Sequence, residues 1–242
     1  MSQLRIIYQD DDIVVIDKPS GLLVHRSKMA QGVKEFALQM LRDQIGQRVY
    51  PVHRLDRPTS GILVFALSEQ VLAEISRQFE NCEVHKSYQC VVRGFTGEGL
   101  IDHPLKDPVD DRRLLKKGIT HEAKDAVSEY KTLAHYEMPW PSGKFATTRY
   151  SLVEVYPKTG RRHQIRKHMD HIAHPIIGDT RYGQGSHNRM FREKLDSNRL
   201  LLAATRLEMM HPVTKQSLLF EVPPAEEMTS VIQALQAFQV DC

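Results

Sequence analysis

The 242-residue chain orders its apolar segments as an α+β domain: a mixed, mostly antiparallel sheet with flanking helices. Three observations carry that expectation. Strand-like runs come in clusters, and helical patterns fall between them irregularly, without the βαβα alternation of a doubly wound fold. No Pro/Gly/Ser-rich linker, internal repeat or low-complexity segment divides the sequence. Residues 1–242 are therefore expected to form one unit whose two halves flank a central cleft.

The elements follow in order. Ile13-Val14-Val15-Ile16 is a strand, Asp17 to Gly21 a turn, and Leu22-Leu23-Val24 a second strand. Residues 33–45 place Val33, Phe36, Ala37, Met40 and Leu41 at helical spacing, with Gly46 as the stop. The polar string His53 to Gly61 leads into Ile62-Leu63-Val64-Phe65-Ala66-Leu67, a buried strand by composition. Ser68 then suits the N-cap of a helix carrying Leu72, Ile75 and Phe79. A strand at 86–93 precedes the charged stretch 106–125, which reads as a surface loop or insertion. Strands at 126–136 and 147–156 come next, followed by a basic helix opened by Thr159-Gly160 and running to Ala173. Strands near 200–210 and 217–222 and a last helix after Pro223-Pro224 close the chain.

Composition narrows the function classes. With 41% hydrophobic and 26% charged residues the chain can bury an ordinary globular core. It has no run of ~18 apolar residues, so no helical membrane span is expected. The acidic MSQLRIIYQDDD start is unlike a signal peptide. Cys82, Cys90 and Cys242 neither form an even set nor share a CxxC spacing, so a reducing, cytoplasmic setting is expected. The net charge is only +3, yet Lys158, Arg161, Arg162, His163, Arg166, Lys167 and His168 fall within eleven positions. Such a cluster is either a phosphate-binding face or a solvated helix face.

The chemistry concentrates in His53-Arg54-Leu55-Asp56-Arg57-Pro58-Thr59-Ser60-Gly61. A carboxylate sits in a turn between apolar strands, with cations on both sides that favour its ionised form. Pro58 stiffens the turn and Gly61 permits a backbone angle other residues resist. An ionised Asp56 suits a nucleophile or base better than a general acid. Taken alone, Asp-Arg-Pro would more simply be a turn cap. His163, His168, His171 and His174 have gaps of five, three and three residues, with no HExxH and no supporting cysteine pair, so no metal site is expected there.

The string HRLDRPTSG resembles the signature of the RluA family of pseudouridine synthases. Lys86-Ser87-Tyr88 resembles that family's Lys-x-Tyr element, and Lys158 to His168 its third element, with His174-Pro175-Ile176-Ile177-Gly178-Asp179 the stretch that follows. The resemblance implies a pseudouridine synthase fold and the isomerisation of uridine to pseudouridine in folded RNA. It implies Asp56 as the catalytic aspartate, Tyr88 as a face for the extruded base, and Arg166 as the ion-pair partner of Asp56. Arg54 would support the flipped state. Arg57, Arg161, Arg162, His163 and Lys167 are the further RNA-binding candidates, with His163 orienting neighbours or contacting phosphate.

The implied reaction cleaves N1–C1′, turns the uracil and rejoins it through C5, a net isomerisation that requires no cofactor and no metal. Asp56 attacks C1′ or removes a sugar proton, and sequence does not separate the routes. Gly21 to Ser27, Arg42 to Gln47 and Thr147 to Pro157 resemble a branch of the family that modifies uridine 65 of tRNA, so tRNA is the expected partner of a monomeric enzyme. An N-terminal S4-type domain is not expected. An rRNA site, another tRNA position and a non-catalytic RNA-binding role are the alternatives. The sequence has Leu202-Ala203-Ala204 where relatives commonly show Leu-His-Ala.

Overall fold

The computed structural model describes residues 3–25, 35–107 and 121–241. Arg112, Arg113, Lys116 and Lys117 of the charged stretch, and Cys242, lie outside the described residues. The strands are β1 (Arg5–Gln9), β2 (Ile13–Lys18), β3 (Tyr50–Pro51), β4 (Ser60–Ala66), β5 (His85–Arg93), β6 (Glu98–Asp102), β7 (Leu105–Lys106), β8 (Ala123–Lys124), β9 (Val127–Met138), β10 (Thr148–Pro157), β11 (Leu202–Met210), β12 (Ser217–Glu221) and β13 (Gln239–Val240). The helices are α1 (Ala37–Ile45), α2 (Glu69–Glu80), α3 (Gln164–His171), α4 (Gly185–Leu195) and α5 (Glu226–Gln236).

One sheet runs through both halves in the order β1-β2-β4-β11-β5-β10-β9-β13, with β3, β6 and β12 pairing at its sides. Its pairings are antiparallel except β4 with β11, where Ala203 and Ala204 lie beside Ser60 and Gly61. That parallel seam joins the halves and lies directly after the Asp56 turn. Gly61 has φ 109°, and a Cβ there would overlap the carbonyl oxygen of Ala204. Only glycine accommodates both conditions, so the last residue of HRLDRPTSG sets how closely the halves meet.

Alternation along each strand buries both faces of the central sheet. On one side α4 and α5 cover Tyr136, Met138, Tyr150, Val91 and Ala203. On the opposite side Ile165 and Met169 of α3 pack onto Val153 and Leu202 of the sheet. Ala203 thus packs with Phe191 and Met228, while Leu202 and Ala204 share clusters with Tyr88. The departure at Ala203 falls on the face away from Tyr88.

Several sequence expectations need correction. Leu22-Leu23-Val24 is not a strand; it turns sharply and keeps a single bridge, Leu23 to Phe36. The basic helix begins at Gln164 rather than at Thr159-Gly160. Neither β1, a half-buried strand, nor α4, a polar helix that buries only His187 and Phe191, was expected from the residue pattern. The Ser68 cap is as expected, its Oγ accepting the Val71 N–H at 3.2 Å.

Candidate active site

Asp56 sits on a turn bolted to the neighbouring 18–22 turn. Its own carbonyl accepts the Thr59 N–H at 3.0 Å, and Leu55 beside it is buried with Leu41, Leu63 and Phe65. Across the joint, Gly21 N–H donates to Arg57 O at 2.8 Å, Arg57 Nε donates to Gly21 O at 2.9 Å, and Ser20 Oγ donates to Pro58 O at 2.7 Å. Lys18, fully buried, donates Nζ to the carbonyls of Pro19, Leu22 and Arg57 at 2.9, 2.9 and 3.3 Å. Burial lowers its pKa to about 7, and the Asp56 charge pulls the other way. The loop is rigid because its backbone carbonyls have these donors.

The Asp56 side chain, 15% exposed, forms part of the lining of a cleft of about 560 Å³ whose other walls include His53, Phe79, Tyr88, His163 and Arg166. Arg166 Nη1 donates to Asp56 Oδ2 at 3.2 Å, and His163 Nε2 lies 3.8 Å from Oδ1. Behind them stands Asp179, wholly buried, accepting Arg166 Nε at 2.7 Å and Nη2 at 2.9 Å. Burial works against the Asp179 charge, but the Arg166 fork and the N–H groups of Tyr182 and Arg181 outweigh it and leave the carboxyl below its usual range. Arg166 is correspondingly held above its ordinary value, its two carboxylates overcoming the cost of burial.

Tyr88 rises from β5 into the cleft; burial first, and then the Asp56 charge, push its phenol well above its usual pKa, so it is neutral. His53 is neutral too. Burial, helped by the Lys86 charge, drops it to about 3, its Nε2 accepts Val64 N–H at 3.1 Å, and its ring stacks on Phe79. Burial likewise brings His163 down to about 4 in spite of Asp56.

The loop before α3 is organised by Gln164. Its Oε1 accepts Thr159 Oγ1 at 2.7 Å and Arg161 N–H at 2.9 Å, and its Nε2 donates to Val127 O and Ser128 Oγ, both at 3.0 Å. These bonds hold His163 at φ 58°, a left-handed conformation costing on the order of 1 kcal/mol or more for a side-chain-bearing residue.

The structure separates the other candidates. Arg54, Arg161 and Arg162 line the cleft and, with Asp107, His121 and Lys124, an adjoining basic concavity of about 440 Å³. Arg161 also donates Nε to Asp125 O at 2.9 Å. Lys167 turns to the Lys106 carbonyl at 2.7 Å. Arg57 is apart from these: it lines a second cavity, about 820 Å³, on the far side of the Arg166–Asp179 pair. The late histidines also diverge. His168 bonds Ser128 Oγ and His103 O, His171 stacks on His103, and His174 Nδ1 lies 2.8 Å from Arg93 O. Asp10, Asp12 and His211 converge elsewhere, at a corner where His211 Nδ1 accepts the N–H groups of Val213 and Thr214 and Nε2 meets Asp10 at 3.0 Å. With these partners the cluster ties the β1–β2 turn to the end of β11.

Sequence reasoning missed Asp179, Tyr182, Gln164 and Lys18 as site-building residues. Asp179 closes the apolar run Pro175-Ile176-Ile177-Gly178, a place where a carboxylate is drawn into the interior, and that was the available signal.

Chemically, the arrangement presents one oriented carboxylate, a neutral aromatic side chain and a basic rim around a base-sized hollow. Residues 12–171 match the family model described as RNA pseudouridylate synthase. The chain is 52% identical over 216 residues to the tRNA pseudouridine synthase C of Vibrio cholerae, covering 89% of this chain and 88% of that protein. It is 50% identical over 220 residues to the protein of the same name from Haemophilus ducreyi, covering 89% of each. The solved structure of human RNA pseudouridylate synthase domain containing 1 shares the fold, with a TM-score of 0.70 at 22% identity over 99% of this chain and 97% of that one. On the extent of these matches, the chain belongs to the RNA pseudouridylate synthase family.

Proposed function

We propose that this enzyme isomerises uridine to pseudouridine in tRNA, at position 65, with Asp56 as the reacting carboxylate. The observation that carries the reading is the placement of Asp56 in the cleft that Tyr88 also lines, its carboxylate oriented by Arg166, which Asp179 holds in turn. The names of relatives near 50% identity support tRNA as the substrate. The stretches 21–27, 42–47 and 147–157 support the position.

A uridine in a folded tRNA leaves its stack at a cost of a few kcal/mol. The hollow between Asp56 and Tyr88 receives the extruded ring, where stacking on an aromatic face returns ~1–3 kcal/mol. Arg54 at the mouth props the vacated helix, and Arg161, Arg162, Lys124 and His121 take phosphates in the adjoining concavity. Lys167 and His163 serve by holding the site's walls. In the reaction N1–C1′ breaks, C5–C1′ forms, the C5 proton is released and N1 is protonated. The enclosure holds the detached uracil through its rotation.

We take the chain to act as a monomer; its continuous sheet supports a single catalytic unit, and a tRNA substrate together with free Cys82 and Cys90 supports a cytoplasmic setting. Among the described residues no helix is long and apolar enough to cross a membrane.

The test is pseudouridine mapping by carbodiimide labelling and primer extension on tRNA from cells lacking the protein, treated with purified enzyme. A new stop reporting position 65 supports the reading. Modification elsewhere, or in rRNA alone, keeps the chemistry and overturns the substrate.

A further inference from the structure

We propose that Tyr182 is a positioning residue whose hydroxyl selects the tautomer of His163 that presents Nε2–H to Asp56, making His163 a second donor, beside Arg166, on that carboxylate. The inference rests on the reading of Asp56 as the reacting group and adds to it a residue outside the sequence motifs.

Its first support is the backbone. His163 adopts φ 58° and ψ 27°, a conformation that a residue with a Cβ keeps only when its surroundings impose it. Gln164 imposes it from the adjoining position through its bonds to Thr159, Arg161, Val127 and Ser128. The imidazole is thereby directed into the cleft, with only 12% of it exposed.

The second support is what the ring meets. Nδ1 lies 3.0 Å from Tyr182 Oη, and Nε2 lies 3.8 Å from Asp56 Oδ1. A neutral imidazole carries one N–H, so the two contacts are coupled. A hydrogen on Nδ1 would leave the Nε2 lone pair facing a carboxylate oxygen, acceptor against acceptor. With Tyr182 donating to Nδ1, the hydrogen sits on Nε2 and faces the carboxylate. Both groups are in the required state: burial lowers His163 to about 4 and raises the Tyr182 phenol. At 3.8 Å the pair faces each other beyond hydrogen-bond distance, and the contact closes when substrate engages Asp56.

The third support is that Tyr182 is itself fixed by the group that fixes Arg166. Its N–H donates to Asp179 Oδ1 at 3.0 Å, its ring lies 5.3 Å from the Arg166 guanidinium carbon, and it meets His163 edge-on at 5.7 Å. Asp179 therefore aligns both donors onto Asp56, directly through Arg166 and through Tyr182 and His163 in turn. In this tautomer His163 has no lone pair facing Asp56, so it acts there as a donor and takes no proton.

The test uses whole enzyme labelled with ¹⁵N-histidine and long-range proton–nitrogen spectra, the His163→Gln variant identifying the His163 signals. Wild type should show the Nε2–H tautomer, and Tyr182→Phe a mixture of the two. In turnover, Tyr182→Phe should lower kcat about tenfold, roughly the worth of one hydrogen bond, with KM for tRNA unchanged. In the His163→Gln background, where the partner of Tyr182 is gone, Tyr182→Phe should cost nothing further. An Nδ1–H tautomer in wild type overturns the proposal. So does an equal loss in both backgrounds, which would assign Tyr182 to packing beneath Arg166. The nitrogen spectra need no substrate, so failure of the tRNA reading leaves this test standing.

Discussion

Arg166 bridges two carboxylates, gripping Asp179 through Nε and Nη2 at 2.7 and 2.9 Å while Nη1 reaches Asp56 at 3.2 Å. Three donor directions of one planar group are used, and the bidentate grip on a wholly buried partner decides where the third one points. The Asp56 turn and the start of α3, 110 residues apart in sequence, are joined by that fork.

Removing the buried partner should therefore be felt twice. Asp179→Ala leaves Arg166 charged and unpaired in the interior and should cost about 3–5 kcal/mol in urea unfolding. Asp179→Asn, which keeps an acceptor, should lose less stability but at least about tenfold in kcat, because a misdirected guanidinium misplaces Asp56. Stability within about 1 kcal/mol of wild type for Asp179→Ala, inside the range of an ordinary surface change, would mean that Arg166 is held by other contacts.

The cations divide by where they point. Arg54 and Arg161 border the cleft and the basic concavity, so replacing either with Gln should weaken tRNA binding and reduce the slope of log affinity against log salt by about 1. Arg57 lines the cavity behind the Arg166–Asp179 pair and holds Gly21 O, so Arg57→Gln should leave the salt slope unchanged and lower the melting temperature. A flattened slope for Arg57→Gln would put RNA on that second face.

Two neutral histidines set a pH dependence. His53 and His163 have folded pKa values near 3 and 4, below the ordinary histidine value of about 6.5. Between those limits the unfolded chain binds protons that the folded chain does not, so stability rises with pH there and falls as the solution is acidified. Each contributes up to about 1.4 kcal/mol per pH unit. Buried Asp179, depressed as well, adds in the same direction at lower pH. Unfolding free energy measured at pH 7 and 5.5 should drop, and His163→Asn should shrink the drop. A flat profile would mean that these rings take up protons as readily in the folded chain as in the unfolded one.

Much of the site was legible in the sequence because its chemistry is local. The Asp56 turn, the Tyr88 strand and the basic segment before α3 each announce themselves in a few consecutive residues, and the buried strand after Gly61 follows from composition alone. Apart from the Asp56–Arg166 pair, which the family resemblance implied, what sequence did not supply was long-range pairing. Asp179 and Tyr182 matter through groups 13 and 19 positions away, and Lys18 through a carbonyl 39 positions away. Nothing in Lys167 or Arg57 distinguishes a cation facing RNA from one bonded to a neighbouring carbonyl. Helix α4 escaped because it buries two side chains, too few for a periodic signal.

The central claim is that Asp56 reacts. The most direct measurement is release of tritium from tRNA labelled at C5 of uridine, since that hydrogen leaves when C5 takes the bond to C1′, with Asp56→Ala beside the wild type and tRNA binding measured for both. Tritium release should vanish with the variant while affinity falls by less than about tenfold, under 1.4 kcal/mol. Release that persists in Asp56→Ala, or affinity lost in step with activity, would contradict the assignment and make Asp56 a structural member of its turn.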